Sequence, residues 1–461
     1  METEAVGYTT KIFGSDSKMD ILRSQCEKYM LEIILVAIWL LSFWHYYLNF
    51  RQRALLQRLI ELPESIKGLM TKDVYDKSRA YALHRNSFNI VQDVYSKIYN
   101  TLILVSFGYY HMWQWSLQIA KYYGINHENE MIISLIYIFI MGVISYIFNL
   151  PLMIYDTFVV EQKHGFNKQT AMFFIKDEIK KFIVTQVITL PLASAIIWIV
   201  QHGGDSFFWY LWLLSVIVSL FLMLLYPEVI APLFDKYSPL PDGDLKRKIE
   251  ELAASLKFPL YKLFIVEGSK RSSHSNAYLF GFYKYKRIVL FDTLIKEYCK
   301  KDGDSADKEY GCDTDEILAV LAHELGHWKL NHAIKGFILS QIILVINFIM
   351  FTSLLRYKAM YSAFGFVDTQ PIILGLFIVT MYILIPINTV LNFIGVVISR
   401  RYEFQADNFA TKLGRGESLK AALLKLQKDN LGYPLYDKLY SSWNHSHPPI
   451  LERLEAIDKS K

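Results

Sequence analysis

Cysteine is nearly missing: there are three in 461 residues, Cys26, Cys299 and Cys312. So few exclude a disulfide framework, and no pair has the spacing of a zinc finger or a redox motif. They read as free thiols; a local bridge between Cys299 and Cys312, which flank a polar loop, stays open. Charge is scarce too, at 20% of residues against about 25% in ordinary soluble domains. The excess of basic over acidic residues is only +5, too mild to argue for a nucleic-acid partner. Apolar residues fill the gap: 53% of the chain is hydrophobic, 15% is aromatic, and the mean hydropathy is +0.21. Disorder needs the opposite composition, and a soluble globule would have too little polar surface to cover so much apolar material.

Seven apolar runs reach the length of about 20 residues that a membrane-crossing helix needs. They lie at 31–49, 99–120, 131–155, 182–201, 206–230, 337–355 and 371–397. The first starts too late, and with flanks too polar, for a secretory signal peptide. Lysine and arginine alternate across these runs. The segments on one side carry 4, 1, 0 and 2 of them, those on the other 9, 5, 17 and 11. Basic loops stay cytoplasmic, which predicts a lumenal N-terminus and a cytosolic C-terminus. Pro151, Pro191, Asn347, Pro386, Asn388 and Asn392 fall inside the runs and should face protein or water rather than lipid.

The longest water-facing segment is 231–336. It opens with three prolines and a charged stretch at 242–251 that reads as a surface helix, followed by strand-like runs at 262–266, 277–282 and 287–291. The second and third strands are joined by a hairpin-sized connection at 283–286, and 300–315 is a polar, glycine-containing loop.

Within that segment, His323-Glu324-Leu325-Gly326-His327 is an H-E-x-x-H motif. On a helix, positions four apart share a face, so both imidazoles can bind one Zn²⁺. Glu324 lies beside that face, where it can act as general base on a water. Asp313 and Glu316 resemble a capping pair at the helix start. His332 is five residues past His327, about 140° around a continuous helix, and is not counted as a ligand. A zinc site needs a third protein ligand. Glu403 and Asp407 are four apart, just after the last apolar run and on the same predicted side as the motif. One of the two can ligate while the other accepts a hydrogen bond from a ligand imidazole.

HELGHW at 323–328 together with SRRYEFQAD at 399–407 resembles the integral-membrane zinc endoproteases that process prenylated CAAX proteins, the kind that also matures prelamin A. The stretches VEGSKRSSHSNAY at 266–278, IAPLFD at 230–235 and SHPP at 446–449 agree with it. The resemblance implies a mostly α polytopic membrane protein. About seven transmembrane helices would enclose a chamber, with a small α+β zincin-like catalytic domain. It implies one Zn²⁺ on His323, His327 and Glu403, Glu324 as the base, and Asp407 as the carboxylate behind a ligand. It also implies His447, with His445 as the nearby alternative, as a stabiliser of the oxyanion. Arg453 is placed to orient carboxylates, and Asn276, Ala277 and Tyr278 open a strand whose edge holds the substrate.

The expected reaction is removal of the last three residues (aaX) of farnesylated CAAX proteins or peptides, with a second upstream cut in prelamin-A-like or pheromone-like substrates. The expected place is the endoplasmic reticulum membrane and the inner nuclear membrane. The chain then divides into 1–230 with five spans, 231–336 with the HELGH helix, 337–397 with two spans, and 398–461 with the third ligand. Two other readings compete. One is a seven-span receptor or transporter in which the motif is a coincidence. The other is an intramembrane metalloprotease of a different type, which would carry H-E-x-x-H inside a span; here the motif precedes the sixth run.

Overall fold

The computed structural model describes residues 24–281, 284–299 and 310–460. The part of the expected polar loop at 300–309, the end of the second expected strand at Phe282, and Tyr283 of the hairpin connection lie outside the described residues, as does the chain before residue 24.

Long helices build the first half: α1 (Met30–Arg58), α2 (Lys72–Val105), α3 (Gly108–Tyr122), α4 (Glu130–Tyr155), α5 (Ala171–His202) and α6 (Phe207–Leu225). Their starts are written locally. Thr71, Asn129 and Thr170 each accept a backbone N–H of the first turn of α2, α4 and α5, satisfying donors that the helix leaves open. Among the described residues, five helices are long and apolar enough to cross a membrane, corresponding to the first, third, fourth, fifth and sixth expected runs. The seventh run is a pair of helices bent by 63°.

The second run departs from expectation, because 99–120 is not one helix. It is divided between the end of α2 and α3, and Phe107 between them has a left-handed backbone (φ 52°) followed by Gly108. At 15 residues α3 measures only ~22 Å, short of the ~30 Å hydrocarbon core. α2, at 34 residues or ~51 Å, has the length to cross. It carries charge along it, with Asp93 and Lys97 3.9 Å apart, so its sequence lacks the hydropathy of a lipid-facing span.

The membrane helices are thinly packed: only 6% to 22% of each apolar window in the five single helices is buried. The accessible surface of 26061 Å² exceeds the roughly 18,000 Å² expected of a compact 53.8 kDa chain. Most of the apolar surface of these helices is therefore left facing away from the protein, as lipid-facing spans require.

The catalytic half holds a four-stranded sheet: β1 (Tyr237–Pro239), β2 (Leu260–Val266), β3 (Ala277–Phe280) and β4 (Lys286–Phe291), in the order β1-β2-β4-β3. The charged helix α7 (Asp244–Ser255) packs on β2. β2 and β4 run parallel, while β3 pairs antiparallel with β4. That crossover leaves β3 at the sheet's edge. The turn from β3 to β4 needs Gly281 (φ 106°), where a Cβ would fall 2.1 Å from the Tyr285 carbonyl oxygen. The HELGH helix, α8 (Thr314–Lys329), packs against β3 and starts with the expected reciprocal cap between Asp313 and Glu316. Then come α9 (His332–Leu354), the bent pair α10 (Ile372–Ile378) and α11 (Ile385–Ala410), and the short helices α12 (Gly416–Asp429), α13 (Lys438–Asn444) and α14 (Ile450–Lys459). All three cysteines are free thiols.

Candidate metal centre

α8 and α11 meet at Gly326, whose missing side chain lets the helices close; a Cβ there would lie 3.2 Å from Cα of Ala406. This contact brings Glu403 under the two histidines. His323, His327 and Glu403 form a group whose ligand atoms all lie within 4.8 Å of one another. Nε2 of His327 is 3.2 Å from Nε2 of His323 and 3.4 Å from Oε1 of Glu403, and His323 Nε2 is 3.6 Å from Glu403 Oε2.

Behind each imidazole stands an acceptor. His323 Nδ1 is 2.8 Å from Oδ1 of Asp407, and Asp407 receives Arg453 through two bonds, of 2.8 Å from Nε and 2.7 Å from Nη2. Arg453 and Asp407 are both buried. His327 Nδ1 is 3.0 Å from Nδ1 of His332, whose Nε2 donates to Gln405 Oε1 at 2.9 Å. The His332 ring is stacked on Tyr402 at 4.0 Å with an interplanar angle of 6°.

These contacts fix the protons. A carboxylate only accepts, so His323 carries its hydrogen on Nδ1. His332 gives its Nε2–H to Gln405, so its Nδ1 accepts from His327 Nδ1–H. In neutral rings so assigned, both Nε2 atoms carry lone pairs and lie beside each other and a carboxylate. Glu403 Oε2 is buried, with His447 Nδ1 2.9 Å from it and Arg453 Nη1 3.5 Å from it. Two imidazole nitrogens and a carboxylate turned toward one point form a donor set suited to a cation. Ligands ~2.0–2.1 Å from a tetrahedral ion stand ~3.3–3.4 Å apart. The imidazole nitrogens are 3.2 Å apart, each comes within 3.4–3.6 Å of a different Glu403 oxygen, and one ligand atom from each residue lies within 4.8 Å of the others, so the donor set fits zinc.

Glu324 is half-buried beside the pair, and loss of water around it pushes its carboxyl above the ordinary range. His447 is largely exposed, and its contact with Glu403 raises its pKa. His445 does not reach the cluster; it packs edge-on against Tyr436 at 4.4 Å, and burial lowers its pKa to about 4. Asn276 is exposed at the start of β3, and its Oδ1 accepts the N–H of Ala277 at 2.8 Å. The Tyr278 hydroxyl reaches that of Tyr237 at 3.0 Å. The roles of His332 and Gln405 had no sequence signal, because they depend on two helices meeting.

Two family descriptions match the chain from residue 52 on: "CAAX prenyl protease N-terminal, five membrane helices" over 52–236, and "Peptidase family M48" over 239–461. The chain is 45% identical over 458 residues to a CAAX prenyl protease 1 homolog of Mus musculus, covering 94% of this chain and 96% of that one. The chain belongs to peptidase family M48. It is 36% identical over 436 residues to CAAX prenyl protease 1 of Saccharomyces cerevisiae, covering 89% and 91% of the two chains. The crystal structure of Ste24p from S. mikatae superimposes with a TM-score of 0.84 at 35% identity, covering 93% of this chain and 99% of that one. This M48 chain is therefore a multi-pass membrane metalloprotease, and the receptor and transporter readings fall away.

Proposed function

We propose that this M48 chain is a zinc-dependent membrane endopeptidase that removes the aaX tripeptide from isoprenylated CAAX proteins. The carrying observation is the convergence of two imidazole nitrogens and the Glu403 carboxylate, whose ligand atoms lie within 4.8 Å of one another. The substrate class rests on the names of relatives that align over nearly the whole chain.

His323, His327 and Glu403 would hold the ion. When bound, Zn²⁺ supplies a Lewis acid that polarises the scissile carbonyl and lowers the pKa of water. Glu324, between the two histidines, accepts the proton of the attacking water and passes it to the leaving amine. His447 donates to the oxyanion as the carbonyl becomes tetrahedral. Asp407, clamped by Arg453, holds the His323 proton on Nδ1. The β3 edge, opening at Asn276 and Ala277, aligns the substrate backbone by strand pairing.

The alternation of basic residues supports a cytosolic face for these groups, consistent with an endoplasmic reticulum or inner nuclear membrane protein that meets prenylated substrates there. The test is incubation of the purified protein with a farnesylated CAAX peptide and mass analysis of the products. Release of an intact tripeptide, abolished by zinc chelation and restored by zinc, is expected. Cleavage that persists without metal would refute the reading.

A further inference from the structure

From Asn276 to Phe280 the backbone pairs with β4 and has one edge turned away from it, and the segment leading into it, 271–275, continues along that outer edge, with Ser272 bridged to Asn167. The alternation is set by Phe291 N–H, which donates to the Asn276 carbonyl; Asn276, Tyr278 and Phe280 therefore face β4. Ala277 and Leu279 turn their N–H and C=O groups to the other side, as do the N–H and C=O of Ser275, the N–H of Ser273 and the carbonyl of Arg271.

Part of that outer edge is already taken. Lys168 N–H donates to the Arg271 carbonyl at 3.2 Å, and Ser273 N–H donates to the Phe166 carbonyl at 3.3 Å. At Ser275 the partner is a side chain. Ser275 N–H donates to Asn430 Oδ1 at 3.0 Å, and Asn430 Nδ2 reaches the Ser275 carbonyl at 3.4 Å. The Asn430 carboxamide thus makes the two bonds a neighbouring strand would make. Asn430 ends α12, and His274, stacked on Phe166 at 4.0 Å, lies against it with Nδ1 3.4 Å from Oδ1. At Ala277 the edge opens. The N–H of Ala277 is turned onto the Asn276 side chain, and no backbone partner occupies the edge at Ala277 or Leu279 among the described residues.

We infer that Asn430 is a specificity-determining end-stop of the substrate edge, limiting how many residues of the leaving peptide can pair there. This rests on the peptidase reading above. A closed end can lie only on the side of the leaving peptide, because the other side of the scissile bond carries the whole substrate protein. A bound peptide must therefore run antiparallel to β3, its C-terminus towards Asn430. A short tail such as aaX ends before the stop. A longer tail, as in an upstream cut, has to turn off the edge at Ser275 and forgoes further pairing.

The experiment compares farnesylated peptides identical up to the modified cysteine, with tails of three, five and seven residues. The readout is kcat/KM for each longer tail divided by that for the three-residue tail. Each ratio is taken within one protein sample, so a variant's folded fraction cancels. Wild type should give ratios below one. Asn430→Ala exposes one N–H and one C=O, and two added main-chain bonds should raise the ratios on the order of tenfold. Asn430→Leu keeps the bulk without the pairing groups and should retain the wild-type ratios. Unchanged ratios in Asn430→Ala, or equal rises in both variants, would overturn the inference while leaving the peptidase intact. Wild-type protein that cleaves none of the peptides would overturn the peptidase reading and this inference with it.

Discussion

His332 Nδ1 stands 3.0 Å from Nδ1 of His327, and this contact selects the nitrogen that His327 offers to a metal. With His332 accepting, His327 keeps its proton on Nδ1 and its Nε2 lone pair is free. His332→Ala should therefore weaken zinc binding by roughly 10–100-fold. His332→Asn, whose Oδ1 occupies the place of the ring nitrogen, should restore much of it. Competition with a chromophoric chelator measures this without reference to turnover. Equal zinc affinity in wild type and His332→Ala would reduce the contact to packing.

Asp407 is clamped between His323 and Arg453, with both charged partners buried. Removing one member of such a pair leaves the other uncompensated, at a cost of about 3–5 kcal/mol. Asp407→Ala should lower both stability and zinc affinity, and Arg453→Ala should lower stability to a similar degree. The double variant should lose much less than the sum of the singles, because neither orphaned charge remains. Thermal unfolding of the three variants tests this, and simple additivity would show that the pair is not coupled.

Glu324→Gln preserves size and removes the base. Zinc content and peptide affinity should stay close to wild type while kcat falls by at least ~10²–10⁴-fold. A variant that turns over normally would take Glu324 out of the reaction.

His447 acts as a donor only while it carries the relevant proton. Its contact with Glu403 raises its pKa above the ordinary histidine value near 6.5. The donating cation is therefore complete below the ordinary value, and is lost as pH rises through the raised one. kcat should decline on that alkaline limb. In His447→Gln, a neutral donor at every pH, the limb should disappear. His447→Ala should lose roughly 10²–10³-fold in kcat with little change in KM. A pure KM effect would assign it to binding.

Much of this was legible because it is local. The cap of α8 is written by Asp313 and Glu316 three apart, and the ligand pair by two histidines four apart. Six of seven apolar runs fall on helices or a bent helix pair of membrane length. The second run was misjudged because hydropathy does not register the backbone reversal at Phe107, and because the charged residues of α2 conceal a helix long enough to cross. His332 was set aside by counting its angle on an unbroken helix. The helix ends at Lys329, and Asn331, with φ of 58°, starts a new one. His332 is thus off the ligand face, yet turned back onto His327 from α9. The position of β3 at the edge follows from β4 pairing in parallel with β2, a long-range choice without a local signature.

The central claim is that one zinc ion is held by His323, His327 and Glu403. Anomalous diffraction from crystals of the purified protein, collected on both sides of the zinc absorption edge, tests it most directly. A single strong peak among His323 Nε2, His327 Nε2 and the Glu403 carboxylate, present above the edge and absent below it, is the expected result. No peak there in enzymatically active crystals, or a peak on other side chains, would contradict it.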